Sequence, residues 1–328
     1  MIKPKFAITI GDPNGIGPEI VIKALLNYPQ IYELCHPIIF GDAAIVRSTA
    51  EILRYQIDLQ IIDSANIVET NPNTIYCYNI QPVAMNLNLG KITSEGGKHA
   101  YAYLEEAINL AKEKIIKAII TAPINKESLR LASIPFLDHT EILQHLTSAE
   151  KTMTLFIVET LRIFFYSRHI PFKQISSALN KNKIVETLTD CNTHLHKIGI
   201  TKPKLALAAL NPHGGEGGMF GNEEIEILGP AVTAARQIGL EVAGPIPADS
   251  VFNLAREGYF DAVLSLYHDQ GHIAAKTYDF YRTVSLTMGL PFLRASVDHG
   301  TAFDIAGKGV ANEVSLVEAI KTAHKYYW

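Results

Sequence analysis

Along the chain, short apolar runs end at Gly, Asn, Asp or Pro and give way to longer segments with apolar residues at three- and four-residue spacing. Runs bounded by turn residues mark buried strands, and the longer spacing marks helices with one buried face. Their alternation predicts strand–helix units around a largely parallel sheet, the α/β class. Strands are expected over 6–10, 37–40, 118–121, 163–166, 205–210 and 262–266. Helices are expected over 18–26, 100–114, 182–198 and 223–238. No internal repeat and no low-complexity linker interrupts the pattern.

Length changes this picture from one lobe to two. At 328 residues the chain exceeds the roughly 250–300 at which a single core stops growing, so two interleaved lobes are expected. Hydrophobic residues make up 48% and charged ones 19%, with 29 Lys and Arg against 33 Asp and Glu for a net charge of −4. That balance is ordinary for a globular chain, and scattered basic residues without interleaved aromatics argue against nucleic acid as a partner. The segment before Gly11 and Asp12 holds too few apolar residues for a signal core, and no later stretch reaches a membrane span. A cytoplasmic protein with no membrane partner is the expectation. Cys35, Cys77 and Cys191 lie far apart and form no C-x-x-C pair, which predicts reduced, buried thiols.

Candidate chemistry begins at GDPNGIGPE (11–19), which follows a strand and opens a helix with Pro18 in its first turn. Free amides at such a turn can receive an anion, or the glycines can serve backbone geometry alone. The segment is neither a dinucleotide fingerprint nor a P-loop.

Three histidines fall just beyond candidate strands: His169, His213 and His268. Ligand sites in open α/β sheets gather at the carboxyl ends of strands, and three imidazoles with an open position describe a catalytic metal site. The competing reading is three unrelated surface or core histidines. Asp269 beside His268, Asp249 in the loop before the preceding helix, and Lys276 eight residues beyond His268 add candidate acid, base and electrophile. A second glycine-rich run, Gly214 to Gly218 after His213, leaves backbone open to a close ligand or forms a flexible loop. From Asp298 to Asn312, glycines mix with hydroxyl and acidic groups without helical period, the composition of a shaped binding loop.

Six ordered blocks carry a resemblance: GDPNGIGPE (11–19), TAPINK (121–126), DHTE (138–141), NPHGGEGG (211–218), YHDQG (267–271) and LPFLRASVDHGTA (290–302). Together they resemble the PdxA family of 4-hydroxythreonine-4-phosphate dehydrogenases, including its D-threonate and D-erythronate 4-phosphate branch. The resemblance implies two α/β/α domains similar to those of isocitrate and isopropylmalate dehydrogenases, with the active site in the interdomain cleft. The first domain would comprise 1–140 plus 285–328 and the second 141–284.

By position, the resemblance implies a divalent metal on His169, His213 and His268, zinc first and magnesium, manganese or cobalt as alternatives. It implies substrate contacts from His139, Thr140, Lys276, Ser285 and Arg294. His299, Gly300, Asp304 and Asn312 fall in a stretch similar to an adenine-side NAD loop, with NADP as the alternative cofactor. Catalytic roles would fall to Lys276, Asp269 and Asp249. A homodimer sharing the metal site across its interface is also implied. The expected reaction is NAD-linked oxidation and β-decarboxylation of a phosphorylated hydroxy acid, 4-phosphohydroxy-L-threonine first and D-threonate or D-erythronate 4-phosphate as alternatives. A phosphate acyltransferase is the remoter class. Two departures from the family pattern, Asp138 for Gly and Ser285 for Asn, are expected to alter the substrate pocket more than the chemistry.

Overall fold

A computed structural model describes residues 3–65, 69–84 and 86–328. Numbered along the chain, its strands are β1 (Lys5–Thr9), β2 (His36–Gly41), β3 (Asp58–Ile62), β4 (Thr74–Asn79), β5 (Ala118–Thr121), β6 (Met153–Val158), β7 (Leu161–Phe165), β8 (Lys204–Ala208), β9 (Glu241–Ile246), β10 (Ala262–Ser265), β11 (Val284–Met288) and β12 (Leu293–Val297). Contacts divide the chain into two units, Met1–Thr152 with Val284–Trp328, and Met153–Thr283. The expected first break, after residue 140, would cut the helix His139–Thr147. That helix stays with the first unit because Ile142 and Leu143 pack into its core beside Leu104, Ile108 and Leu129.

In the first unit the strands run β3-β4-β2-β1-β5-β12-β11. All neighbours are parallel except β11 against β12. β1 and β2 are buried along nearly their whole length, as parallel strands covered on both faces must be. Ala7, Phe40 and Ile119 face the helices Ser94–Lys112 and His139–Thr147, while Phe6, one residue along β1, meets Tyr327 edge-on at 5.7 Å beyond the C-terminal helix Val314–Tyr326. The period of two thus gives this unit a helical layer on each side.

In the second unit the order is β6-β7-β10-β8-β9. β6 and β7 form an antiparallel pair, and β7, β10, β8 and β9 are mutually parallel. The core joins Phe156, Ile163 and Phe165 to Val251, Phe252 and Ala275 of the helices Ala248–Arg256 and His268–Tyr278.

Each of the six expected strands forms, shifted by a residue or two at its ends. Of the other six, β6 (MTLFIV) is as apolar as the expected strands, whereas β3 reads DLQII and is mostly exposed, β9 contains Gly244-Pro245, and β11 and β12 bury Ser285, Thr287, Arg294 and Ser296. Helix Ser94–Lys112 begins six residues before the expected 100, capped by Thr93, whose hydroxyl accepts from the Gly96 amide. Its glycines lie at a close crossing, since a Cβ on Gly97 would sit 2.1 Å from the Ser128 carbonyl oxygen. The single helix expected over 223–238 is two elements, a π-turn at Glu224–Leu228 and an α-helix at Gly229–Gln237. Among the described residues no helix is long and apolar enough to cross a membrane. All three cysteines are buried.

Candidate functional site

The glycine-rich opening is a folded turn whose amides are already engaged. Asp12 N donates to the Pro123 carbonyl, Asn14 N to Asp12 Oδ1, Gly15 N to the Asp12 carbonyl and Ile16 N to that of Thr301, all at 3.0 Å. Asp12 and Asn14 are fully buried, and Asp12 also accepts from Ser128 Oγ at 2.7 Å. A Cβ on Gly17 would lie 2.0 Å from the Ile10 carbonyl oxygen, so the glycines are required by packing. Of the two readings of this segment, backbone geometry holds and an anion at these four amides does not.

A buried guanidinium stands among hydroxyls on β5, β11 and β12. In-register pairing sets Ser285 opposite Ser296 and Thr287 opposite Arg294, with Thr121 of β5 beside Ser296. Arg294 is 6% exposed, and its guanidinium donates to Thr121 Oγ1 at 3.1 and 2.6 Å and to Thr287 Oγ1 at 3.1 Å. Among the described residues it forms no ion pair. Burial pushes its pKa down to about 10, partly offset by the charge of Asp138, and it stays cationic at neutral pH.

His139 opens the helix His139–Thr147 on the same side. Burial first, and the Arg294 charge second, hold its pKa well below the ordinary imidazole value, so its ring is neutral. Its buried Nε2 has no hydrogen-bond partner. Asp138 is the N-cap: Oδ1 accepts from the amides of Thr140 at 2.8 Å and Glu141 at 3.1 Å. Its carboxylate thus fixes the helix end that presents His139 and Thr140. Thr121, Thr287 and Ser296 were not singled out in the sequence, because a hydroxyl on a strand carries no signal until its register is known.

In the second unit, His169, His213 and His268 follow β7, β8 and β10, which are adjacent parallel strands, so all three leave one edge of the sheet. His169 and His268 approach with ring centroids 6.1 Å apart, and His272 stacks on His268 at 3.6 Å. His213 projects into solvent, its side chain 70% exposed. Among the described residues no three His, Cys, Asp or Glu side chains are grouped closely enough to hold a metal ion.

The donor chemistry nevertheless fits one. His268 Nδ1 lies 2.6 Å from Asp269 Oδ1, and His213 Nδ1 lies 3.4 Å from Glu216 Oε2. A carboxylate only accepts, so a neutral imidazole that donates to one through Nδ1 leaves its Nε2 lone pair for a ligand, the orientation found behind metal-bound imidazoles.

His213 belongs to a left-handed turn. Five consecutive residues, His213 to Gly217, have φ between 44° and 82°, two of them non-glycine, His213 and Glu216. The glycine run therefore supplies handedness, and holding His213 and Glu216 there costs about 1–2 kcal/mol each. Asp249, expected in a loop, lies in the first turn of the helix Ala248–Arg256, because the preceding Pro247 opens the helix directly. With Asp269 it lines an open groove of about 730 Å³ along that helix and the helix His268–Tyr278. Lys276 stands on the latter, its Nζ 5.3 Å from the centre of the Phe280 ring.

The loop 298–312 returns to the first unit. His299 Nδ1 lies 3.1 Å from the Gly300 carbonyl oxygen, Asp304 is exposed, and Asn312 Oδ1 accepts from Val314 N at 2.8 Å. A buried pair missed in the sequence pins the loop: Lys23 Nζ donates to Glu19 at 2.7 Å and to the carbonyls of Gly309 and Ala311, while Glu19 Oε1 accepts from Ala311 N. Space around the Cα of Gly300 is open.

The family model described as "Pyridoxal phosphate biosynthetic protein PdxA" matches residues 33–323. A protein of Symbiobacterium thermophilum, provisionally named D-threonate 4-phosphate dehydrogenase, is 47% identical over 99% of this chain and 97% of its own length. The crystal structure of 4-hydroxythreonine-4-phosphate dehydrogenase from Klebsiella pneumoniae superposes with a TM-score of 0.91 at 38% identity, covering 99% of this chain and 98% of that one. A terephthalate 1,2-cis-dihydrodiol dehydrogenase from Burkholderia xenovorans is similar at TM-score 0.65 and 28% identity, with 98% of each chain covered.

Proposed function

The chain belongs to the PdxA family of dehydrogenases, and from that premise we propose that it oxidises and decarboxylates a 4-phosphorylated four-carbon hydroxy acid. The observation that carries the substrate class is Arg294, a buried guanidinium with hydroxyl partners only and a neutral imidazole beside it. A buried cation without a counter-ion is costly, and an anionic ligand removes that cost. The planar fork suits phosphate or carboxylate, with His139, Thr140 and Ser285 supplying further hydrogen bonds.

A divalent metal would be held by His169, His213 and His268, zinc first on an all-imidazole set. When bound, it supplies Lewis-acid polarisation of the substrate hydroxyl and of the ketone that replaces it. Asp269 holds the His268 ring in its ligating tautomer, which favours an orienting role over that of base. Asp249 is then the better candidate to take the hydroxyl proton as hydride leaves for NAD or NADP. The resulting β-keto acid loses CO₂, and protonated Lys276 returns a proton to carbon. His299, Gly300, Asp304 and Asn312 would receive the adenine side of the cofactor. The three histidines are completed between two copies of the chain, the site being shared in a homodimer.

D-threonate 4-phosphate is the preferred substrate, because relatives at 44–47% identity bear that name provisionally. The second reading, 4-phosphohydroxy-L-threonine, was favoured on sequence and is supported by structural neighbours at 37–38% identity. The two acids differ by a hydroxyl or an amine beside the carboxylate. The test is reduced-cofactor absorbance with each acid and with D-erythronate 4-phosphate, before and after chelation, together with metal analysis. Turnover of D-threonate 4-phosphate at the highest kcat/KM supports the preferred reading. A higher value for 4-phosphohydroxy-L-threonine selects the second, and no cofactor reduction with any of the three removes both.

A further inference from the structure

Glu224 is 5% exposed, yet among the described residues it reaches no cation. Its Oε1 accepts from the amides of Leu210 and Asn211, both at 2.8 Å, and its Oε2 accepts from Asn211 Nδ2 at 2.8 Å. These are the last residues before Pro212 and His213, so the carboxylate grips the chain where it leaves β8 for the left-handed turn. Glu223 adds a second hold, its Oε2 accepting from Asn211 Nδ2 at 2.7 Å and its Oε1 from Ser176 Oγ at 2.5 Å.

The backbone is arranged around this grip. Glu224 opens the π-turn Glu224–Leu228, an insertion of the kind concentrated at functional sites. A Cβ on Gly221 would meet Asn211 Nδ2 at 2.5 Å and Glu223 Oε2 at 2.6 Å, and one on Gly215 would meet Glu224 Oε2 at 2.9 Å. Both glycines therefore make room for the carboxylates. The turn itself is disfavoured for an L-residue at His213 and persists only where its surroundings fix it.

We propose that Glu224 is a positioning residue for His213: its buried carboxylate anchors the chain from which the left-handed turn presents the imidazole. The inference rests on the proposed role of His213 as a metal ligand. A residue so placed changes metal affinity through the ligand it holds.

The experiment is Co²⁺ titration of the full-length protein, read by ligand-field absorbance and calorimetry, with melting of each metal-free variant alongside. Glu224→Gln keeps a carbonyl oxygen for both backbone amides but turns an amino group toward Asn211 Nδ2, and is expected to bind within about tenfold of wild type, more tightly than Glu224→Asp. Glu224→Asp keeps the charge but withdraws it by one methylene, and is expected to bind about 10–100-fold more weakly with an altered spectrum. Wild-type affinity and spectrum in Glu224→Asp, or equal losses in both variants, overturn the proposal. Should Glu224→Asp not fold, Asn211→Ala removes the side-chain arm alone, with a loss of roughly 3–10-fold expected; unchanged binding then overturns it. His213→Ala separates the two levels. If that variant binds Co²⁺ as wild type does, the metal reading itself fails and the role of Glu224 with it.

Discussion

The row around Arg294 and the histidines beyond β7, β8 and β10 are built on opposite principles. Arg294 is buried, held by three hydrogen bonds on paired strands, and its neighbours are fixed by register. His213 is exposed on a turn of disfavoured handedness, while His169 and His268 approach each other. The geometry of the first region is set by its strands, so on the proposed reading it is formed before an anion binds. The second sets His213 and His268 each beside a carboxylate, and on the proposed reading a second copy and an ion complete the set.

The strongest way to break this contrast is complementation. His213→Ala and His268→Ala should each lose about 10³-fold or more in kcat, because three ligands are the minimum of a catalytic metal site. Mixed from the unfolded state, the two variants should recover up to about a quarter of wild-type activity, since a hybrid dimer keeps one intact shared site. No recovery, with hybrids demonstrated by mass, would place the whole site within one chain.

Arg294→Met tests the preorganised side. On the proposed reading, removing this buried charge should raise KM by about 10²-fold or more. The melting temperature should hold or rise, since no partner charge is stranded. A fall of many degrees would mean that Arg294 is chiefly structural.

A smaller effect separates the Asp138 carboxylate from the substrate. Loss of its cap in Asp138→Ala should cost about 1 kcal/mol, roughly 2–4 °C in melting temperature. Most of that loss should return in Asp138→Asn, which still accepts at the cap. Full stability in Asp138→Ala would refute the capping role.

The smallest effect is on pH. His139 stays neutral when folded, its pKa lowered by burial and by Arg294, and recovers an ordinary value near 6.5 on unfolding. The unfolded chain therefore binds more protons below that value, so this contribution to stability is full above about pH 6.5 and falls on acidification. His36 and His99 are lowered in the same direction. Melting temperatures between pH 7.5 and 5.5 should fall less in His139→Gln than in wild type. An unchanged slope would show that His139 titrates normally.

What was hard to read from sequence has one cause in several places. β11 and β12 were not expected as strands because buried polar residues, Ser285, Thr287, Arg294 and Ser296, alternate with their buried apolar ones and break up the apolar run. A strand that lines a ligand site trades that signal for chemistry. Glu224 likewise looked like one acidic residue on a helix, and only the π-turn directs it at Leu210 and Asn211. The glycines of 11–17 suggested an anion because free amides and engaged ones read alike in sequence.

The sequence alone determined the α/β class, the six apolar strands, the reduced cysteines and the family, because these rest on local periodicity and on ordered blocks of residues. It also put His169, His213 and His268 beyond strands. Tertiary structure decided that those strands are neighbours, that Arg294 is buried among hydroxyls, that Asp138 caps a helix and that His213 stands on a left-handed turn. Adjacency, burial and backbone handedness arise from contacts between residues far apart in the chain, and no local pattern of side chains encodes them.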